Sequence, residues 1–347
     1  CHTLLSIRDA SMYQRQRKID SVSIPPIADI LANARVVALP MRTRFRGVDV
    51  REAMLIEGPQ GWAEFSPFTE YEDSEAATWL AAAIDYAWRE QPAQVRDTVR
   101  VNATVPAVAG EQVASILNRY PGCRTAKVKV AEPGQVLADD IARVRAAREA
   151  LGDEGRVRID ANGAWNIDEA ERAIHALAEF DLEYVEQPCA SVSELVELRR
   201  RVKYLSIPIA ADESIRKAAD PLAVARAGAA DLIVIKAQPL GGIVRALSIV
   251  AETGLPAVVS SALDTAVGIS QGVSLASSLP ELDFDCGLAT SALFVRDVAD
   301  LRIEHGALAV TRVSPDPARV DALAASADRQ RWWQQRLERC YTILAER

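Results

Sequence analysis

Much that would define a secreted, membrane or nucleic-acid-binding protein is missing from this chain. Its 347 residues hold five cysteines, Cys1, Cys123, Cys189, Cys286 and Cys340, an odd number with no C-x-x-C pair. That usage argues against a disulfide framework and suits a reducing cytoplasm, with all five acting as packing residues. No apolar run approaches the roughly 18 residues of a membrane span, and the N-terminal stretch lacks the charged-then-apolar order of a secretory signal. Basic residues are not in excess: the net charge is −8, whereas a general nucleic-acid binder needs a basic face. No G-x-G-x-x-G follows an early strand pattern, which weakens a dinucleotide fold. Histidine is scarce, at His2, His175 and His305.

What remains is ordinary for a globular protein, 49% hydrophobic and 25% charged, long enough for a large core. The expected partner is a small molecule, with neither nucleic acid nor membrane involved. Residues 1–24 mix Arg8, Arg15, Arg17 and Lys18 with Ser and Gln and read as a poorly ordered extension. A strand–hairpin–strand pattern then spans 34–65, with a basic loop at 41–47 ending in Gly47. Asp73, Ser74 and Glu75 offer a cap for an alanine-rich helix to about residue 90. From 99 onward strands alternate with helices. Strands are expected at 99–103, 125–130, 156–160, 182–186, 208–212, 231–236, 256–260 and 284–287. Helices are expected at 110–119, 136–151, 167–180, 193–202, 221–227, 242–252 and 265–278. Eight short strands with seven helices between them predict an α/β fold, a (β/α) barrel covering 99–304. An α+β capping domain, 25–98 with 305–347, includes a last helix near 327–344.

The chemistry lies at the strand ends. Lys127 and Lys129 flank Val128, so a strand puts both ammonium groups on one face. Asp160, Glu186 and Asp212 each end an apolar run and are 26 residues apart (160 to 186, 186 to 212), and Lys236 follows 24 residues later. Each interval holds one helix and one strand, so these charges converge on one barrel mouth. Taken singly, each carboxylate is explained by a helix cap. Together they repel unless something positive lies between them, and an all-oxygen set favours Mg²⁺ over Zn²⁺. Lysines across such a cavity then have a purpose, because burial and neighbouring cations lower an ammonium toward the range of a base.

The set Lys127-Val-Lys129, Asp160-Ala-Asn-Gly163, Glu186-Gln-Pro188, Asp212-Glu-Ser214 and Lys236 resembles the enolase superfamily, in its muconate-lactonising-enzyme-like subgroup, over about residues 34–347. The stretches at 102–106, 125–130, 239–243, 260–264 and 286–290 are similar to subgroup members that dehydrate a cyclohexadiene carboxylate to an aromatic acid in menaquinone biosynthesis. The resemblance implies a cap over a modified barrel and Mg²⁺, replaceable by Mn²⁺, on Asp160, Glu186 and Asp212. It also implies that Lys129 takes and returns the proton, with Lys236 stabilising the anion from the opposite face and Lys127 assisting. The substrate-binding positions it suggests are Arg44, Gly242, Ser260, Ser261 and Gly287, with the loop at 42–47 closing over a carboxylate substrate. The mandelate-racemase-like branch expects a His base near the seventh strand, and none stands there. The alternatives are an N-succinylamino acid racemase, a dipeptide epimerase and a non-catalytic barrel. An epimerase expects Asp-x-Asp at the end of the eighth strand, and Asp283-Phe-Asp285 is read as one turn too early for that. Oligomeric state is not legible.

Overall fold

The structure is a computed structural model that describes residues 24–217 and 220–347. The expected extension over 1–24 lies, but for Ile24, outside the described residues.

The chain opens with a short helix α1, Ile27–Ala32, and an antiparallel sheet of β1 Arg35–Phe45, β2 Val48–Gly58 and β3 Gly61–Phe65. The expected basic loop at 41–47 is instead the end of a long hairpin. β1 runs to Phe45, paired with Val48, and Arg46 and Gly47 alone make the turn, both at positive φ (51° and 74°). A two-residue turn of that hand matches the twist of the flanking strands, so the basic segment stays in the sheet rather than leaving it. Helix α2, Asp73–Trp88, packs its alanine-rich face on this sheet. Asp73 does not cap it. The N-cap is Glu72, without a side-chain bond, and Asp73 accepts from Arg339 Nε at 2.5 Å on the last helix.

The barrel is a run of seven parallel strands in consecutive order. They are β5 Ala103–Val105, β6 Thr125–Lys129, β7 Arg156–Asp160, β8 Leu182–Glu186, β9 Ile209–Ala211, β10 Leu232–Ile235 and β11 Ala257–Val259. The eighth stave is the segment around Cys286 and Gly287, held by isolated bridges to Val101 and Ser260 rather than as a regular strand. Cys286 N donates to Arg100 O (2.8 Å) and Gly287 N to Val259 O (2.8 Å), which closes the ring. The first expected strand, 99–103, is split between two sheets. Val101 N donates to Gly306 O and Asn102 N to Cys286 O, each at 2.9 Å, so the chain changes sheet between these residues. Hence β4, Thr98–Arg100, pairs antiparallel with β12, Ala307–Ala309, and the first stave begins at Ala103.

Every residue of β6 is buried, as expected of a parallel strand covered on both faces. The covering helices are α3 Val113–Leu117, α4 Leu137–Leu151, α5 Ile167–Leu177, α6 Val192–Val202, α7 Glu213–Arg216, α8 Ala223–Ala227, α9 Ala237–Leu240, α10 Ile243–Thr253 and α11 Ala266–Ser278. Asn166 with Glu169, and Ser191 with Glu194, form reciprocal caps that start α5 and α6. After β12, α12 Pro317–Ala322 and α13 Ala327–Ala345 return the chain to the first sheet. There Trp333 donates to Glu52 (2.9 Å) and stacks edge-on against Phe65 at 5.7 Å. The fold is an α/β barrel of the expected type with an N-terminal cap. Among the described residues no helix is long and apolar enough to cross a membrane.

Candidate active site

Strand register brings the charges to one level. Lys129 lies beside Asp160, and Asp160 beside Glu186, across β6, β7 and β8. Glu186 pairs with Ala210 of β9, and Asp212 follows two residues later on the same face. Lys236 follows β10. Counting staves, Lys129 is on the second and Lys236 on the sixth of eight, so the two face each other with the carboxylates on the staves between.

All six side chains are buried. Lys127 Nζ bridges Asp160 Oδ2 (2.8 Å) and Glu186 Oε1 (2.5 Å). Lys129 Nζ reaches Asp160 Oδ2 (2.5 Å) and donates to Asn162 Oδ1 (2.6 Å). Lys236 Nζ pairs with Asp212 Oδ2, whose other oxygen takes Arg216 Nε at 3.2 Å. Burial works against charge on Asp160, but Lys127 and Lys129 hold its carboxyl well below the usual carboxylate range. Burial likewise opposes Asp212, which Lys236 and Arg216 nevertheless draw down to about 2. Glu186 goes the other way: burial, then the charge of Asp160, pushes it up to about 7. The two β6 lysines also diverge. Burial is overcome at Lys127 by Asp160 and Glu186, which hold it well above the ordinary value. At Lys129 burial outweighs Asp160, and Lys127 adds repulsion, so its proton is more easily lost. One lysine is thus a fixed cation and its neighbour a candidate base.

The three lysines pair with all three carboxylates. Among the described residues no three acidic or sulfur or imidazole side chains surround one point as a metal cage would. The donor set still fits a hard divalent cation: three carboxylates end adjacent staves, and Glu186 Oε2 is buried without a hydrogen-bond partner. Turning Asp160, Glu186 and Asp212 from their lysines toward a common ion would satisfy that oxygen.

Above these groups lies a cavity of about 40 Å³, lined also by Phe45, Arg46, Thr104, Ser260, Ser261, Leu263, Gly287 and Thr290. It is smaller than a ring carboxylate, and Phe45 and Arg46 at the hairpin tip form part of its wall. A far larger groove of about 790 Å³ runs outside the barrel past Arg42, Arg119 and Arg302, but no lysine–carboxylate set faces it. We place the chemistry in the smaller space.

Residues 36–87 match the family model "Enolase N-terminal domain-like" and residues 117–316 match "Enolase C-terminal domain-like". The o-succinylbenzoate synthase of Mycolicibacterium smegmatis is 56% identical over 323 residues, 92% of this chain and 99% of that protein. That of Mycobacterium tuberculosis is 57% identical over 92% of this chain and 97% of its own length. The chain belongs to the o-succinylbenzoate synthase family of the enolase superfamily. Among solved structures, the muconate lactonizing enzyme of Pseudomonas putida aligns with a TM-score of 0.69 at 19% identity, over 84% of this chain and 98% of that one. The N-succinyl Arg/Lys racemase of Bacillus cereus aligns at 0.71 and 18%, over 84% and 97%. At such identities the likeness concerns the fold.

In this synthase-family chain the six charged residues read from the sequence stand together, and Ser260, Ser261 and Gly287 line the cavity with them. Two suggested positions do not. Arg44 is on the outer face of the hairpin, its side chain 69% exposed and paired with Asp49 at 3.8 Å; Arg46 at the turn takes the inner place. Gly242 lies outside the cavity against the cap. Its φ is +118°, and a Cβ at this position would stand only 3.0 Å from Asp85 Oδ2, which explains the glycine without a ligand. Asn162 and Arg216 were missed, though Arg216 follows Asp212 by the four residues of a helical turn. Asp285 takes Thr125 Oγ1 (2.7 Å) and Arg100 Nε (2.9 Å), at the end of β6 remote from Lys129. It cannot hold a substrate ammonium in the mouth, in keeping with the reading of Asp283-Phe-Asp285 as too early in the chain for an epimerase's Asp-x-Asp.

Proposed function

We propose that this chain is an o-succinylbenzoate synthase, a hydro-lyase that removes water from 2-succinyl-6-hydroxy-2,4-cyclohexadiene-1-carboxylate to give 2-succinylbenzoate in menaquinone biosynthesis, in the cytoplasm. The observation that carries the reading is the opposed pair Lys129 and Lys236 with three carboxylates on the staves between them, in a chain 56–57% identical to relatives of that name. Asp160, Glu186 and Asp212 would hold Mg²⁺, with Mn²⁺ able to substitute. When bound, the ion supplies positive charge against the substrate carboxylate.

The remaining chemistry falls to the side chains. Lys129, neutral, takes the proton from the carbon bearing the carboxylate, and the resulting ammonium returns that proton to the hydroxyl on the same face. One C–H and one C–O bond break, a C=C bond forms and water leaves, so the ring becomes aromatic and the reaction runs downhill. Asn162 keeps Lys129 Nζ oriented between the two steps. Lys127, buried beside Asp160 and Glu186, is a cation near the developing negative charge. Lys236 offers a second cation on the opposite face. Phe45 and Arg46 close the space, exclude water and meet an anionic substrate.

The same pair of opposed lysines suits racemisation of an N-succinylamino acid, which needs proton transfer on both faces, and this is the second reading. The test is conversion of the cyclohexadiene substrate by the purified protein with Mg²⁺, followed by ultraviolet absorbance and product mass. Multiple turnovers that stop on exhaustive chelation and resume with Mg²⁺ or Mn²⁺ are expected. Full activity after chelation would sink the metal assignment, and no turnover with metal present would sink the synthase reading.

A further inference from the structure

The cavity wall beside Lys236 is the turn 260–265, and it is held from outside the barrel. Ser260, Ser261 and Leu263 line the cavity, while Leu263 sits in the left-handed region at φ +64°, unfavourable for a residue with a branched side chain. Such a conformation persists when its surroundings over-determine it. The barrel ties down Ser261, whose N donates to Gly287 O (3.0 Å), but the carbonyls of Ala262 and Leu263 are held by the cap. Arg51 of β2, buried under the Phe68 ring, donates through Nε to Leu263 O (3.1 Å) and through Nη2 to Ala262 O (3.3 Å) and Ser66 Oγ (3.0 Å). Its planar fork of donors is pre-organised to meet two successive carbonyls of the turn.

Glu64 of β3 completes the hold. Its Oε2 accepts from Thr265 N (2.9 Å), Thr265 Oγ1 (2.5 Å) and Gly268 N (3.2 Å), fixing where α11 begins. A Cβ on Gly268 would come within 2.7 Å of that oxygen, so the glycine permits the approach. The other oxygen, Oε1, takes Ser66 Oγ (2.5 Å) and Gln238 Nε2 (3.4 Å). Gln238 is two residues beyond Lys236. One buried carboxylate of the cap therefore touches the segments that follow both the sixth and the seventh staves.

We propose that Arg51 and Glu64 are positioning residues for the reaction: through them the cap imposes the left-handed turn at Leu263 and sets Ser260, Ser261 and Leu263 against the substrate. Neither side chain lines the cavity. The inference deepens the synthase reading and rests on it for its kinetic consequence, but its structural half stands apart. If Arg51 forces the turn, a residue that adopts φ +64° without strain will need Arg51 less. Glycine is that residue.

The test combines Arg51→Met, Leu263→Gly and the double variant with hydrogen–deuterium exchange over 260–268, kcat, KM and melting temperature. Arg51→Met is expected to speed exchange in 260–268 while the strands of the barrel stay protected, and to lower kcat at least tenfold. Adding Leu263→Gly is expected to recover at least threefold of that loss, although glycine alone lowers activity by opening the wall. An interface that served stability alone would give kcat losses that multiply in the double variant and follow the melting temperature. That result, or unchanged exchange over 260–268 in Arg51→Met, overturns the proposal. Should Arg51→Met fail to fold, Glu64→Gln is measured instead, with the same local exchange and at least a tenfold fall in kcat expected and a change under twofold in both overturning it. A wild type without dehydratase activity would refute the synthase reading, while the exchange data would still decide whether Arg51 and Glu64 hold the turn.

Discussion

Replacing Lys127 with methionine tests the charge balance of the mouth. The ammonium bridges two buried carboxylates at 2.8 and 2.5 Å, and removing one partner of a buried ion pair costs about 3–5 kcal/mol. Two features of the site place Lys127→Met at the lower end. Asp160 keeps Lys129 as a partner, and Glu186, already pushed up to about 7, escapes its charge by holding a proton. We therefore expect a loss of about 3 kcal/mol in chelator at neutral pH, read as a shift of the urea midpoint. Mg²⁺ should then distinguish the two proteins. A ligand at a hundredfold its Kd stabilises by about 2.7 kcal/mol, and in the variant the ion meets two carboxylates no longer shared with Lys127. The stabilisation by Mg²⁺ should exceed that of the wild type. A variant within about 0.5 kcal/mol of wild type in chelator refutes the bridging role. An increment from Mg²⁺ no larger than the wild type's refutes the choice of Asp160 and Glu186 as its ligands.

Lys129→Ala should lower dehydration by about 10²-fold or more, the scale of a lost general base, and near-normal turnover would remove it from that role. Lys236→Arg keeps the charge though not the shape, so measurable dehydration should survive while any racemisation disappears; survival of both would show that Lys236 does not protonate the second face. Arg46→Ala should raise KM or lower kcat well before it lowers the melting temperature, whereas Arg44→Ala should leave kinetics within twofold; the reverse pattern would return Arg44 to the site. Burial pushes the Asp297 carboxyl up from 3.8 to about 7, so the folded form holds a proton that the unfolded chain has lost, and this group's contribution to stability falls as pH rises from 3.8 to 7. Asp297→Asn should flatten that part of the stability profile, and an unaltered slope would show that Asp297 does not titrate there.

The site was more legible than the details around it, for a physical reason. A barrel repeats one strand–helix unit, so inward side chains at equivalent strand ends recur at near-constant spacing, and Asp160, Glu186 and Asp212 keep it. Arg44 and Arg46 show where that reasoning stops. On a continued strand both arginines would share a face; Arg46 parts from Arg44 because it leaves the strand for the two-residue turn with Gly47, at positive φ, which a loop reading discards. Gly242 was suggested as a ligand-side glycine, whereas the crowding that selects it comes from Asp85, on a helix more than 150 residues earlier. The split first strand was hidden because Val99 and Val101 continue one apolar alternation, while the change of sheet falls between the amides of Val101 and Asn102. Arg51 and Glu64 carried no local signal, since their partners lie about 200 residues further along the chain.

The central claim, dehydration rather than racemisation in this mouth, is tested most directly by measuring both on one preparation of wild-type protein with Mg²⁺. The account predicts rapid loss of the cyclohexadiene absorbance with a kcat/KM well above that for α-deuterium exchange of N-succinylamino acids in D₂O. Rapid exchange and inversion of the amino acid, with negligible dehydration of the cyclohexadiene, would contradict it and make the chain a racemase.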